Sequence, residues 1–476
     1  MFLGILLLGC TKTNTPQNQS VYQMELSFDG KNELSGKENV TFYNYTDNAL
    51  SYLQFNLFAN AFQDKDFVVT ASEQDRAYYD GFSEGNIEIQ YVSMGEKELS
   101  FSYMEESRQI LKVDLPDELF PDEKVTITLE FKVTLANINH RLGVGKNTIN
   151  LGNFYPILSV YENGKGFYQN TYQPYGDPFF SKVASYEVKF SCPSSFVVAS
   201  SGVKQDETAK DGIKTSVFKG ENMRDCALVL SKNFSSAKSM CGGVEVEYFG
   251  YSGDNDITIN QRTAFDAIKY FSKKFGSYPY KKISVVKNSF VQGGMEYPSL
   301  VMISDENESE SLSYVIVHEI AHQWWYAGVG NNQYENAWID EGLSEYSTLM
   351  FFRDNIQYNR DYKELIASCN ESYNVYKKVQ SKVYGEVDEK MAKPLDKFSS
   401  SPEYVALCYT KSTLMFNSLE ETLGEKKFEK ALLSLYEKYK FQEVSREEFI
   451  ALMSSSTHRN LEGFFNSWLD GSVVIV

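Results

Sequence analysis

Two histidines, His318 and His322, lie four residues apart in the segment His-Glu-Ile-Ala-His, and Glu341 follows after eighteen intervening residues. On a helix, residues four apart share one face, so both imidazoles can bind one metal ion. Zinc takes histidine and carboxylate ligands, and three protein ligands leave its fourth position open for water. Glu319 lies beside this face, where a base can take a proton from that water. The spacing therefore predicts a catalytic zinc site.

The same string could also arise by chance, with both histidines on an ordinary helix surface or in a core. The chain has only 4 histidines among 476 residues, so a random pair at this spacing has roughly one chance in several hundred. Glu341 strengthens the metal interpretation, because it begins a second helical pattern that continues through Tyr346, Leu349 and Phe352. Such a helix would face the carboxylate toward the two histidines.

The elements that position this site differ between the two halves of the chain. Apolar and polar residues alternate through the first half, as in residues 125–131 and 186–190, and this period of two predicts strands with one buried face. Asp29-Gly30 is typical of a hairpin turn. We predict a large antiparallel β domain over residues 21–240.

Helical spacing predominates after about Gly250. We predict that the helix carrying the histidines covers about residues 312–326 and breaks at Gly328 and Gly330. The second domain then covers residues 245–476 and is mostly helical. The fold class is α+β multidomain, with the β domain first.

Other helical signals in this half are clear. One pattern covers residues 403–423 and ends at Gly424, and Ser445-Arg446-Glu447-Glu448 is a capping box that starts another helix.

Composition limits the possible partners. The net charge is -18 at pH 7 and the isoelectric point is near 4.9, so nucleic acids and anionic membrane surfaces are poor partners. A length of 476 residues with 42% hydrophobic residues suggests two or three packed domains. We expect a monomer.

The first residues have the features of an export signal. Residues 1–10 contain a short apolar run that ends in Leu-Leu-Gly-Cys, similar to a bacterial lipoprotein box, and residues 11–20 form a polar tether. The alternative is a buried strand with a core cysteine. We expect lipidation at Cys10, and hence an exported, extracytoplasmic protein anchored by a lipid to the bacterial cell membrane.

The remaining cysteines show no metal-binding spacing, and their odd number leaves at least one thiol free. We expect buried free thiols. These cysteines are Cys192, Cys226, Cys241, Cys369 and Cys408.

Two further segments accompany the zinc motif. Residues 293–298 read Gly-Gly-Met-Glu-Tyr-Pro, and residues 409–411 read Tyr-Thr-Lys. With the zinc motif they resemble, in order and approximate spacing, the gluzincin aminopeptidases of the aminopeptidase N and leukotriene hydrolase group, whose motifs are Gly-x-Met-Glu-Asn and Tyr-x-Lys-Gly. The match covers about residues 260–425. The chain departs from the pattern at Tyr297, Asp340 and Ser412, which puts fine substrate preference in doubt.

The resemblance implies an N-terminal saddle-shaped β domain and a thermolysin-like catalytic domain. It also implies roles for single residues. Glu319 would act as general base and Tyr409 would donate a hydrogen bond to the oxyanion, with Tyr404 as the fallback. Glu296 would bind the free α-ammonium of the substrate.

Neighbouring residues would complete the substrate site and the metal site. Gly293, Gly294 and Met295 would line the substrate site, where glycines let a peptide backbone approach. Asp340 and Glu345 are candidates for orienting the histidines, although a solvated helix face is an equal alternative for Glu345.

The sequence thus predicts an aminopeptidase with one zinc ion that acts on extracellular peptides with a free N-terminus. One alternative is a zinc endopeptidase, which an open cleft would permit; larger family members have further domains that roof the site. Another is a non-catalytic, peptide-binding surface lipoprotein. Epoxide hydrolysis, known in one branch of the family, has no specific support.

Overall fold

A computed structural model describes residues 19–471 and residue 473. The predicted signal segment, the lipidation site at Cys10 and the tether as far as residue 18 lie outside the described residues. Among the helices that are described, none combines the length and apolar character needed to span a membrane.

An eight-stranded, mostly antiparallel sheet dominates the first half, as the alternating pattern predicts. Strand Ser20–Phe28 lies near its centre, antiparallel to Glu33–Tyr43 and parallel to Ala184–Pro193. Alternate residues of these strands are buried in the apolar core of this half, because successive side chains point to opposite faces. In order, the strands are Val203–Lys210, Ile213–Met223, Ala184–Pro193, Ser20–Phe28, Glu33–Tyr43, Lys124–Thr134, Asn86–Met94 and Lys97–Glu98.

Three smaller sheets pack around the large one. The first contains Val197–Ser200, Leu228–Ser231, Ile149–Leu151 and Leu142–Val144, the second Ile157–Leu158, Leu50–Asn56, Ile110–Leu119 and Phe101–Tyr103, and the third Tyr161–Glu162 and Gly166–Phe167. Short helical turns interrupt the strands at Phe58–Gln63, Lys65–Val68 and Gln74–Ala77.

The second half begins with a five-stranded mixed sheet, ordered Phe234–Cys241, Val244–Tyr251, Lys282–Asn288, Leu300–Ser304 and Gly294–Met295. Its first two strands form an antiparallel hairpin. The predicted boundary between residues 240 and 245 cuts through this hairpin and is wrong by several residues. The boundary was set by the change of hydrophobic period, but both strands precede that change.

Helices make up the rest of the second half and enclose a second apolar core. We call Ser309–Ala321, which carries the zinc motif, the motif helix, and Gln333–Asp354, which carries Glu341, the glutamate helix. The other helices are Ile257–Phe275, Tyr362–Tyr384, Ser401–Tyr404, Ser412–Leu423, Glu425–Tyr439, Arg446–Thr457 and Glu462–Asp470, with short 3₁₀ turns at Ile356–Tyr358 and Leu395–Lys397.

Two predicted helices differ from the structure. The motif helix ends at Ala321 and not near residue 326. The helix predicted over residues 403–423 is interrupted by wider π-helical turns at Val405–Lys411, which we call the π segment. The predicted capping box at Ser445 is present, with Glu448 as its partner.

Buried side chains join the two halves. Arg224, at the end of the first half, donates hydrogen bonds to the carbonyl oxygens of Tyr326 (2.7 Å) and Gln442 (2.8 Å), and its neighbour Asp225 accepts one from the Tyr326 hydroxyl (2.6 Å). The β domain therefore contacts the loop that follows the motif helix.

The five cysteines within the described part of the chain form no disulfide, in agreement with the expected free thiols. Cys192, Cys226 and Cys408 are buried, and Cys241 and Cys369 are partly buried.

Candidate metal and peptide site

The motif helix brings both histidines to one place. His318 lies in its last turn, and His322 follows the helix directly with helical backbone angles (φ -59°, ψ -17°). Their Nε2 atoms are 3.1 Å apart. The four-residue spacing therefore has the predicted effect, although the second histidine lies just beyond the regular helix.

The glutamate helix supplies the third predicted ligand. Oε2 of Glu341 lies 3.5 Å from Nε2 of His318 and 3.3 Å from Nε2 of His322. A tetrahedral zinc ion with bonds of about 2.0–2.1 Å needs ligand atoms about 3.3 Å apart. The same oxygen is buried and has no hydrogen-bond partner, which would be costly without a cation. These three side chains fit a zinc ion.

The remaining ring nitrogens of both histidines lie close to oxygen atoms that can accept their protons. Nδ1 of His318 lies 2.8 Å from Oε2 of Glu345, and Nδ1 of His322 donates to the carbonyl oxygen of Trp325 at 3.2 Å. Each ring then presents the lone pair of Nε2 to the metal position. The structure therefore supports the interpretation that Glu345 orients His318, and not the alternative of a solvated helix face.

Asp340, the other candidate for this task, does not contact the histidines through a hydrogen bond. It is fully buried and accepts hydrogen bonds from Asn331 (2.8 Å) and Gln333 (2.7 Å). Gln333 in turn donates to Oε1 of Glu296 at 2.8 Å. Asp340 therefore positions Glu296 through Gln333. The prediction that Asp340 orients the histidines is wrong, because its side chain faces the start of its own helix.

Glu319 lies beside the three side chains that fit a zinc ion. Its carboxylate covers Gly294, where an added Cβ would lie 2.3 Å from Oε1. Glycine is therefore required here to make room for the predicted base, whereas the sequence suggested room for a peptide backbone. Gly293, the preceding residue, has a positive φ of 27°.

The surroundings shift the pKa values of the two central carboxylates, Glu319 and Glu341, in opposite directions. Burial raises the pKa of Glu319 to about 7, although His318 and His322 oppose it. Burial alone would also raise the pKa of Glu341, but the close approach of His318 and His322 outweighs burial and lowers this pKa to about 2. Glu341 thus stays ionised as a ligand, while Glu319 can exchange a proton near neutral pH.

Glu296 is also buried and lies close to both Glu319 and His322. Its carboxylate oxygen, that of Glu319 and a ring nitrogen of His322 all lie within 4.8 Å of one another. Burial, and then the charge of Asp177, raises the pKa of Glu296 well above its usual range. A cation placed here would relieve this repulsion.

The π segment holds Tyr409 against the metal position. Its hydroxyl donates to Oε1 of Glu341 at 2.5 Å, and its ring stacks on His318 with 5.8 Å between centroids. Tyr404 packs edge-on against this ring, and its hydroxyl is buried without a partner. Insertions of π-helical turns are frequent at functional sites, but no local sequence signal marks this one.

His318, Glu319 and Tyr409 line a cleft of about 410 Å³ between the two halves. Arg141 and Asp177 of the β domain form an ion pair in its wall. Arg141 also donates to Sδ of the buried Met295 at 3.0 Å. Sequence analysis missed Arg141 and Gln333 and gave Asp177 no role, since contacts between distant segments leave no local pattern.

The residue after Glu296 points away from the cleft. Tyr297 is fully buried, and its hydroxyl donates to Oδ1 of Asn153 in the β domain at 2.6 Å. Tyr297, which stands where the motif Gly-x-Met-Glu-Asn has asparagine, therefore connects the two halves.

Comparison with known proteins gives a consistent picture. Residues 260–468 match the peptidase family M1 domain. Human endoplasmic reticulum aminopeptidase 2 is 23% identical over 403 residues, which cover 79% of this chain and 40% of that protein. Rat aminopeptidase B is 26% identical over 222 residues, or 42% of this chain and 32% of that protein. The chain thus spans about two fifths or less of these two relatives.

A solved structure covers nearly the whole chain. The M1 zinc metallopeptidase from Deinococcus radiodurans aligns with a TM-score of 0.68 over 97% of this chain and 96% of that chain, at 18% identity. This likeness confirms the predicted α+β fold, with a β domain before a mostly helical domain. Residues 260–468 are therefore identified as a peptidase family M1 domain, and the chain is homologous to aminopeptidases.

Proposed function

We propose that this protein is a zinc-dependent aminopeptidase, which removes N-terminal residues from peptides outside the cell. The chain spans only part of the relatives named as aminopeptidases, so the activity is inferred from the site itself. The observation that carries it is the position of Glu296, whose carboxylate lies within 4.8 Å of Glu319 and His322.

This short distance fixes which peptide bond is cut. A buried carboxylate binds an ammonium group strongly, because the hydrogen bonds are charge-assisted. An α-ammonium held by Glu296 places the first peptide bond beside Glu319 and leaves no room for a residue in front of it. Gln333 keeps the Glu296 carboxylate in place.

His318, His322 and Glu341 would hold one zinc ion. When bound, zinc supplies Lewis acidity that polarises a carbonyl oxygen and lowers the pKa of water. Glu345 and the Trp325 carbonyl keep the two imidazoles in the tautomer that suits a metal ligand.

Glu319 acts as general base and general acid. Burial favours the protonated carboxyl, so Glu319 can accept a proton from the attacking water and return it to the leaving amine. Such proton transfer contributes about 10²–10⁴-fold to the rate. The Tyr409 hydroxyl, which donates to Oε1 of Glu341 in the absence of substrate, would turn this hydrogen bond to the developing oxyanion. The Tyr404 hydroxyl, which has no partner, is the alternative donor.

We also propose that the protein works at the cell surface as a monomer. The support is the lipoprotein-like segment that ends at Cys10 and the polar tether that follows it. Its substrates would be peptides with a free N-terminus.

The role of Glu296 can be tested by Glu296→Gln, which keeps the shape and removes the charge. For a peptide with a free N-terminus, we expect kcat/KM to fall by about 10–100-fold, since a hydrogen bond to a charged group contributes about 1.5–3 kcal/mol. The measurement is steady-state kinetics of the zinc-loaded protein, with the exposed Glu447→Gln as control. An unchanged kcat/KM would exclude Glu296 as the amine site.

A further inference from the structure

A buried glutamine follows the second histidine of the zinc motif. Gln323 comes directly after His322, and its side chain is fully buried. Neither the metal site nor the proton transfers described above use this side chain. A buried amide has given up its hydrogen bonds with water, so its partners in the protein show what it holds in place.

The amide of Gln323 binds one turn through three hydrogen bonds. Its Nε2 donates to the backbone carbonyl oxygens of Glu296 at 3.3 Å and Tyr297 at 3.1 Å. Its Oε1 accepts a hydrogen bond from the backbone N–H of Ser299 at 2.9 Å. We call residues 296–299 the anchor turn, because the first of them is the proposed amine site.

The anchor turn has a backbone conformation that needs support. Ser299 has a φ of 65°, in the left-handed region that residues other than glycine rarely adopt. Such a conformation persists only where the surrounding structure fixes it. Ser299 is also buried, so loss of the Gln323 acceptor would leave its N–H group without a partner and favour a shift of the turn.

Other contacts of the anchor turn lead away from the metal site. The Tyr297 hydroxyl donates to Asn153 in the β domain, and the Ser299 hydroxyl donates to the carbonyl oxygen of Lys282 in the mixed sheet. Gln323, in contrast, connects the turn to the stretch of chain that carries a metal ligand.

We propose that Gln323 is a positioning residue that fixes the distance between the amine site at Glu296 and the metal position. Because His322 and Gln323 are consecutive, the metal ligand and the amide that holds the anchor turn move together. A peptide held by its ammonium group at Glu296 presents its first peptide bond correctly only if this distance is kept within about 0.5 Å. The inference rests on the proposed function, since it concerns the same site.

Two zinc-binding compounds measure this distance without catalysis. Leucine hydroxamate carries an α-ammonium group beside a hydroxamate, which binds zinc through its oxygens, and its des-amino analogue lacks only the ammonium group. Calorimetry on the zinc-loaded protein gives both dissociation constants. We call the dissociation constant of the des-amino analogue divided by that of leucine hydroxamate the amine ratio. For the wild-type protein we expect a ratio of about 10–100, as for a hydrogen bond to a charged group.

Two variants of Gln323 should lose this ratio. Gln323→Met keeps the approximate length of the side chain and removes its hydrogen bonds, whereas Gln323→Asn keeps the amide but is too short to reach the anchor turn. Each should lower the amine ratio to below about 3. The des-amino analogue should bind both variants within about 2-fold of wild type, because the three metal ligands are unchanged.

Gln54→Met is the matched control. Gln54 is also fully buried, and its amide donates hydrogen bonds to the Ser159 hydroxyl and the Tyr168 carbonyl oxygen in the β domain. Urea unfolding should show a loss of stability in this variant as in Gln323→Met, since both lose buried hydrogen bonds. Only the Gln323 variants should lose the amine ratio, which a merely structural role would leave unchanged.

Several results would overturn the inference. A wild-type amine ratio in both Gln323 variants would do so, as would an equal loss of the ratio in Gln54→Met. A ratio near one in the wild-type protein would show that Glu296 does not act together with the metal. Failure of both Gln323 variants to bind either compound would show that Gln323 is needed for the metal site itself.

Peptide cleavage by the wild-type protein separates this inference from the proposed function. N-terminal cleavage together with unchanged amine ratios in the Gln323 variants would refute positioning by Gln323 alone. Loss of the ratio in these variants, without any cleavage by the wild-type protein, would refute the proposed function and leave the positioning role supported.

Discussion

Two carboxylates flank His318 with different tasks. Glu319 lies on the cleft side and has an oxygen without a hydrogen-bond partner, as a base that waits for substrate would have. Glu345, which also lines the cleft, lies 2.8 Å from Nδ1 of His318 and accepts a hydrogen bond from Tyr314 at 2.5 Å. Removing the charge of Glu319 should therefore lower kcat, whereas removing the charge of Glu345 should lower the affinity for zinc.

For Glu319→Gln we expect kcat to fall by at least about 10²–10⁴-fold, because the glutamine cannot accept the proton. Zinc content should stay at about one ion per chain, since His318, His322 and Glu341 are unchanged. Steady-state kinetics and elemental analysis of the same sample measure both. Loss of zinc together with activity would show that Glu319 is part of the metal site.

Glu345→Gln is the complementary change. It weakens the acceptor that holds the His318 ring, so we expect zinc affinity to fall by about 10–100-fold. Competition with a chelator measures this affinity, and kcat at saturating zinc should fall much less than in Glu319→Gln. An unchanged affinity would mean that Glu345 is only a polar neighbour.

At the scale of elements, the π segment is the least regular part that positions a functional group. Tyr409 lies within it, and Lys411 lies two residues further on. The fully buried ammonium of Lys411 donates to the carbonyl oxygens of Glu389 (2.5 Å) and Gly471 (2.9 Å). Burial lowers its pKa to about 8. Lys411 therefore joins the π segment to two distant stretches of chain.

Lys411→Met should release this connection and move Tyr409. We expect kcat to fall by about 10–100-fold with a smaller change in KM, since small displacements of a positioned group are costly. Lys411→Arg can donate to the same carbonyl oxygens and should recover part of the loss. Kinetics of both variants, with the exposed Lys426→Met as control, test this. Equal kcat in the methionine and wild-type proteins would contradict a positioning role.

Sequence predicts these elements to different degrees, for physical reasons. The paired histidines and the alternating strands follow from the fixed periods of helix and strand. The early end of the motif helix at Ala321 and the π segment depend on tertiary contacts, which have no local period. Gln333 and Arg141 were missed for the same reason, whereas the role of Gly294 became clear only from its contact with Glu319.

For the whole molecule, the contact between the two halves determines the shape of the cleft. Arg224 donates a hydrogen bond to the carbonyl oxygen of Tyr326, and Asp225 accepts one from the hydroxyl of the same residue. The Tyr297 hydroxyl donates to Asn153. All of these groups are buried, so the contact resembles a core more than a hinge.

Asp225 should make this contact sensitive to pH. Burial raises its pKa from 3.8 to about 7, so between about pH 4 and pH 7 the folded state binds more protons than the unfolded chain. The free energy of unfolding therefore falls as the pH rises through this window. Asp225→Asn does not titrate, and its stability relative to wild type should rise by up to about 4 kcal/mol from pH 4 to pH 7.

Urea unfolding of both proteins at the two ends of this window measures the difference. The exposed Asp211→Asn should shift stability equally at both ends. A difference between Asp225→Asn and wild type that does not vary with pH would mean that folding does not raise the pKa of Asp225.

The central claim is that the site removes residues one at a time from a free N-terminus. One peptide in two forms, free and N-acetylated, incubated with the zinc-loaded protein and followed by mass spectrometry, tests it most directly. We predict stepwise loss of N-terminal residues from the free form and no cleavage of the acetylated form, because acetylation removes the charge that Glu296 binds. Internal cleavage of both forms would contradict the claim in favour of an endopeptidase, and no cleavage of either would favour a peptide-binding protein.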